Sequence, residues 1–147
     1  MTNHISWLDI IVIQSIKPSV FVAKSDVASW PLFGWVARMT GTIFIRRDKA
    51  SDVKKALKKM KQQMMKRSVC IFPEGTSTNG RYVLPFKSNL FQSSIDSNKS
   101  ILPICLRYEE HFHYSDKVAF IDDMTLVGSI IKIMKEKSIN IIGWYIF

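Results

Sequence analysis

A histidine and an aspartate stand five positions apart in the run N-H-I-S-W-L-D, as His4 and Asp9. A carboxylate that accepts from one imidazole nitrogen fixes the tautomer and leaves the other nitrogen free to take a proton from a hydroxyl. In a regular helix, five residues would turn the two side chains about 140° apart. They meet only if the helix begins between them and His4 sits on an irregular lead-in. The result would be the base half of a triad without its serine. Taken alone, the blander description outweighs it: an exposed terminal histidine beside a helix acid.

Further candidates lie downstream. The run F-P-E-G-T-S-T-N-G, Phe72 to Gly80, ends an apolar segment. In α/β sheets ligands bind beyond the carboxyl ends of strands, so a ligand-facing Glu74 and free backbone N–H groups are expected there. Gly75 and Gly80 have the glycine spacing of a phosphate loop, but Arg81-Tyr82 follow where that loop needs Lys and then Ser or Thr, which argues against it. In G-T-I-F-I-R-R, Arg46 and Arg47 end a strand-like run, and guanidinium forks suit phosphate oxygens, although a solvated loop looks the same. Lys87, in L-P-F-K, is expected near a helix start, where N–H groups and an ammonium make an anion site. His111, His113, Cys70 and Cys105 contain no C-x2-C pair, a poor zinc spacing, and no metal is expected. Trp7, Trp30, Trp35 and Met64-Met65 read as core.

The elements that must position these residues alternate. Ser6–Ile16 suits a helix that stops before Lys17-Pro18, Val20–Ala23 a strand, Trp30–Arg38 a short helix and Thr42–Ile45 a strand. Asp52–Arg67 is the clearest helix, with Val53, Ala56, Leu57, Met60 and Met64 at helical spacing and lysines on the remaining face. Ser68–Phe72 and Ile101–Leu106, the latter interrupted by Pro103, read as strands, and Phe86–Ser97 as a helix. Val118–Ile121 reads as a strand, Leu126–Lys137 as a helix and residues 139–147 as a last strand. Strands alternating with helices predict an α/β fold, a mixed, largely parallel sheet flanked by helices.

A length of 147 residues leaves room for one domain, residues 1–147. With 47% hydrophobic and 22% charged residues the chain is far from the composition of disorder. The net charge of +9 favours phosphate-bearing partners, whether nucleic acid, anionic lipid or a small phosphorylated substrate. Both cysteines lie in apolar runs, as buried thiols of a reducing compartment. No apolar stretch approaches the roughly 18 to 20 residues of a membrane-spanning helix.

Taken in order, these blocks resemble the glycerophospholipid acyltransferase family, most closely its bacterial 1-acyl-glycerol-3-phosphate (lysophosphatidate) acyltransferases. H-x4-D is matched by His4 and Asp9; G-x-I-F-x-x-R by Gly41, Ile43, Phe44 and Arg47; F-P-E-G-T by Phe72 to Thr76; and the apolar block with a central proline by Ile101 to Ile104 around Pro103. The similarity covers nearly the whole chain, and four ordered blocks reverse the weighting given to His4 and Asp9 alone. Ser77 stands where many members have Arg, Arg46 where many have Asp, and Asn89 near a common Gly.

The resemblance implies an enzyme that moves a fatty acyl group from acyl-CoA or acyl carrier protein to the hydroxyl of 1-acyl-glycerol-3-phosphate, making phosphatidic acid. His4 would be the general base and Asp9 its orienter. Arg47, Glu74, Thr76 and Lys87 would hold the acceptor's phosphate and glycerol, Gly75 would allow close backbone approach, and Pro103 would shape the pocket wall. No cofactor beyond the acyl donor is implied, and the site would work at the cytoplasmic face of a membrane, attached peripherally to anionic lipid. Alternatives are another acceptor, such as a lyso-ornithine lipid, or a non-catalytic basic module that binds anionic membrane or nucleic acid. Members usually carry a hydrophobic segment ahead of H-x4-D, so the chain is expected to be shortened at its N-terminus. Chain ends fray unless tied down, which would leave His4 loosely held.

Overall fold

Apolar runs rich in β-branched residues, cut by Pro and Gly and joined by helical segments, set the element order. The computed structural model describes residues 1–46 and 49–145. The helices are α1 (Leu8–Ile16), α2 (Phe33–Met39), α3 (Ala50–Met64), α4 (Gln92–Asp96) and α5 (Leu126–Met134). The strands are β1 (Ser19–Lys24), β2 (Ile43–Ile45), β3 (Ser68–Cys70), β4 (Ile104–Glu110), β5 (His113–Tyr114) and β6 (Asn140–Tyr145). The chain divides into two compact units. The α/β class stands. In place of one largely parallel sheet, however, there are two three-stranded sheets, one parallel and one antiparallel.

One unit comprises Gln14–Ile71 and Ser88–Ile101. Its sheet has the order β2-β1-β3, all parallel, with Val22 opposite Ile43 and Val20 opposite Val69. Parallel neighbours need long crossovers, and α2 and α3 supply them. On α3, Ala56 and Met60 are buried while Lys54, Lys55, Lys58, Lys59 and Lys61 are exposed, as the helical spacing predicts. On α2, Gly34 lies against the 3-10 turn Ser25–Ser29, where any side chain would run into the Ala28 carbonyl. That helix is too short to bury a second face, so Trp35 is 59% exposed. Met65, just beyond α3, is exposed as well, and the reading of both residues as core is corrected. The expected helix over Phe86–Ser97 is broken into a 3-10 turn, Ser88–Leu90, and the short α4.

The other unit comprises Met1–Ile13, Phe72–Lys87 and Leu102–Phe147. Its sheet has the order β5-β4-β6, antiparallel throughout, because the two-residue turn His111-Phe112 can join only antiparallel strands. Leu106 and Tyr108 alternate inward along β4. Tyr108 joins Ile5, Val118, Ala119 and Ile133 in a buried cluster flanked by Trp7, Leu8, Ile121 and Ile139. The first three residues are tied down along the start of β4. Met1 donates from its amino group to the Leu102 carbonyl (2.8 Å) and accepts from Ile104 N–H (2.8 Å). Thr2 bridges Ile104 in parallel, and the Asn3 amide pairs with both backbone groups of Leu106 at 2.9 and 2.7 Å. Residues 118–121 form no strand. Ala119 N–H turns back to the Asp116 carbonyl, and Phe120 N–H donates to the Ile5 carbonyl (2.9 Å), so this stretch lines the N-terminal lead-in instead of entering the sheet. Among the described residues, no helix is long and apolar enough to cross a membrane.

Candidate active site

Helix α1 starts at Leu8, between His4 and Asp9, as their meeting requires. Its first turn is fixed in the manner of a capping box: Ser6 Oγ accepts from Leu8 N–H (3.4 Å), and Asp9 Oδ2 accepts from Ser6 N–H (3.0 Å). The same oxygen accepts from Ile5 N–H at 2.7 Å and lies 2.8 Å from His4 Nδ1. Asp9 Oδ1 takes the Tyr108 hydroxyl at 2.6 Å. Backbone donors and a phenol thus surround a carboxylate that is 0% exposed, which makes it an acceptor and leaves the shared proton on His4 Nδ1. Nε2 is then the free lone pair of a ring whose side chain is 23% exposed. An imidazole held this way can take a proton from a hydroxyl brought to Nε2.

The Phe72 to Gly80 segment holds His4 from the other side. The Phe72 ring stacks on the imidazole, with centroids 4.0 Å apart and planes at 23°. Glu74 Oε1 accepts from His4 N–H (2.7 Å), and Thr78 N–H donates to the His4 carbonyl (2.9 Å). Glu74 Oε2 accepts from Leu84 N–H (2.9 Å). The expected ligand-facing Glu74 is therefore corrected: its side chain is buried and ties two backbone segments together, because those amides would otherwise lack acceptors. The turn that aims it inward closes from Gly75 N–H to the Phe72 carbonyl (3.1 Å), with Gly75 at φ 79°, a conformation that favours glycine. Ser77 Oγ donates to the Phe120 carbonyl.

The remaining candidates are spread out. Thr76 is exposed on the same turn. Lys87 is exposed, but its backbone N–H is committed to the Pro73 carbonyl (2.9 Å), so the expected pairing of ammonium with free amides is not formed. Pro103 is half-buried just ahead of β4, between the residues that hold Met1. Among the described residues, neither Lys87 nor Pro103 bonds to His4 or Asp9. Arg47 lies outside the described residues. Arg46 is exposed after β2, its Nε 3.8 Å from Asp52 Oδ2. Cys70 is buried and Cys105 half-buried, both free thiols. The sequence reading missed Tyr108 and Thr78. Nothing local announces Tyr108, whereas the S-x-x-D run of Ser6 to Asp9 is a local signal that could have placed the helix start.

The sequence model of the Acyltransferase family matches residues 1–107. A 1-acyl-sn-glycerol-3-phosphate acyltransferase of Neisseria gonorrhoeae is 38% identical over 107 residues, 72% of this chain and 42% of that protein. A lyso-ornithine lipid O-acyltransferase of Pseudomonas aeruginosa is 32% identical over 136 residues, 92% of this chain and 52% of that protein. The chain thus spans about half the length of these curated relatives. The crystal structure of the 1-acyl-sn-glycerophosphate acyltransferase of Thermotoga maritima covers 76% of this chain and 44% of its own with a TM-score of 0.53; at 23% identity, it speaks for the fold alone. Since the family's sequence model runs through both the His4–Asp9 pair and the Phe72 to Thr76 turn, the chain belongs to the acyltransferase family.

Proposed function

We propose that the chain acts as a single acyltransferase domain that moves a fatty acyl group from acyl-CoA or acyl carrier protein to the free hydroxyl of 1-acyl-glycerol-3-phosphate, giving phosphatidic acid. The observation that carries this reading is the 2.8 Å contact between His4 Nδ1 and a buried Asp9, which leaves Nε2 as a base. Nε2 takes the hydroxyl proton as the oxygen attacks the thioester carbonyl. The tetrahedral intermediate then collapses with cleavage of the C–S bond, and the thiolate takes the proton back from His4. An activated alcohol attacks a thioester directly, so the reaction needs no acyl-enzyme and no cofactor beyond the donor. Arg47, Thr76 and Lys87 are assigned to the acceptor's phosphate and glycerol, Gly75 to close backbone approach and Pro103 to the pocket wall, while Glu74 serves by holding His4. The domain would work peripherally at the cytoplasmic face of an anionic membrane, a reading supported by the exposed lysine face of α3.

A second acceptor is favoured by one finding: the Pseudomonas aeruginosa relative that acts on a lyso-ornithine lipid aligns with 92% of the chain. Mass spectrometry of lipids formed from lysophosphatidate and lyso-ornithine lipid, each with acyl-CoA and with acyl carrier protein, separates the two. Phosphatidic acid as the main product, lost by about 10²–10⁴ in His4→Ala, supports the first reading. Acylation of lyso-ornithine lipid alone establishes the second. No acylated product from any pair overturns both.

A further inference from the structure

Asp9 is loaded unevenly. Three donors converge on Oδ2, namely His4 Nδ1 and the N–H groups of Ile5 and Ser6, whereas Oδ1 meets the hydroxyl of Tyr108 at 2.6 Å. Tyr108 is 1% exposed and stands on β4 two positions beyond Leu106, the residue whose backbone holds the Asn3 amide. One strand therefore fixes both the lead-in that carries His4 and the carboxylate that orients it. Glu74, the other carboxylate that binds this segment, reaches His4 through the backbone N–H and not the ring.

We propose that Tyr108 is a positioning residue of the His4–Asp9 pair: by occupying Oδ1 it locks the carboxylate's rotation, reserves Oδ2 for His4 Nδ1 and so keeps Nε2 deprotonated and available. Two features support this. The ring is anchored in the cluster of Ile5, Val118, Ala119 and Ile133, so its hydroxyl is delivered by a rigid element and not by a loop. Burial and the Asp9 charge also hold the phenol far above its ordinary range, so it stays a donor. Without the hydroxyl, Oδ1 becomes a buried acceptor with no donor, and the carboxylate gains reason to turn. The proposal rests on His4 as the base, but its primary readout is the imidazole itself and does not depend on acyl transfer.

The test is Tyr108→Phe, which keeps the ring and removes one oxygen, studied by 15N NMR of the neutral His4 ring. The Nε2–H tautomer is expected to rise about fivefold in population, the effect of losing one ordinary hydrogen bond. Val118→Ala, which loosens the same core without touching the carboxylate, is expected to leave the tautomer ratio alone. An unchanged ratio in Tyr108→Phe, or an equal change in Val118→Ala, overturns the proposal. In turnover the same variant is expected to lose about tenfold in kcat with KM unchanged, and a change confined to KM overturns it. Should Tyr108→Phe fail to fold, the wild-type sequence carrying 3-fluorotyrosine provides the measurement. A more acidic phenol holds Oδ1 more firmly, so the Nε2–H tautomer falls in population, the opposite of Tyr108→Phe; an unmoved or raised population overturns the assignment.

Discussion

Asp9 accepts at both ends, from three N–H groups at Oδ2 and from the Tyr108 hydroxyl at Oδ1, and an amide in its place can accept at only one of them. Asp9→Asn must aim its NH2 either at those donors or at the Tyr108 hydroxyl, and in both cases it loses the negative charge opposite a His4 that takes up a proton, so a loss of activity of about 10²–10⁴ is expected. A stability loss of about 1–3 kcal/mol by chemical denaturation should accompany it, and full activity would show that the base works without an orienting carboxylate. Gly80, at φ 83°, is a sharper steric test, because a Cβ there would stand 2.7 Å from Ile5 Cδ1. Gly80→Ala is expected to disturb Ile5, whose N–H serves Asp9, and to lower both the melting temperature and kcat. The phenol of Tyr108 is raised first by burial and then by Asp9. Its folded value lies above its unfolded value near 10, so the stabilisation is complete below about pH 10 and is lost as pH rises beyond it, by about 1.4 kcal/mol per pH unit. Tyr108→Phe should therefore unfold with a flatter dependence on alkaline pH than the unsubstituted chain, and parallel curves would contradict the buried phenol.

On α3, Met60 is 0% exposed beside buried Ala56, so Met60→Ala is expected to destabilise by about 2–5 kcal/mol. Substitutions at exposed Lys58 should stay within about 0.5 kcal/mol in the same denaturation experiment. This helix was legible because its apolar residues repeat every three or four positions over four turns, a signal carried wholly by the segment. The His4–Asp9 pair was legible for a related reason: the helix start that brings them together is encoded locally, in Ser6 and Asp9. Residues 118–121 misled, since their apolar run fits a strand, but their N–H groups are taken by a turn and by Ile5. Glu74 misled in the same way. A carboxylate on a turn looks solvent-facing until the amides of His4 and Leu84, 70 and 10 positions away, are known to need it. Tyr108 was invisible because its partner lies 99 positions back along the chain. Local periodicity thus recovers elements and caps, whereas buried polar pairings depend on a topology that a single sequence does not reveal.

Across the whole molecule, the surplus of 21 basic over 12 acidic side chains is not evenly placed, since α3 presents Lys54, Lys55, Lys58, Lys59 and Lys61 outward. A juxtamembrane lysine contributes about 1 kcal/mol of attraction to an anionic leaflet. Reversing Lys54, Lys58 and Lys61 to Glu removes at least three such contributions, so affinity for phosphatidylserine vesicles should fall by about two decades if this face meets the membrane. The attraction should also weaken steeply between low and physiological salt, because the Debye length contracts to about 8 Å there. A control separates charge from fold: the three substitutions leave Ala56 and Met60 in place, so the melting temperature should hold. Vesicle binding measured by co-sedimentation decides the matter. Unchanged binding by the folded triple variant would detach α3 from the membrane, whereas retained binding to single-stranded nucleic acid with vesicle binding lost would show that the two kinds of polyanion use different faces.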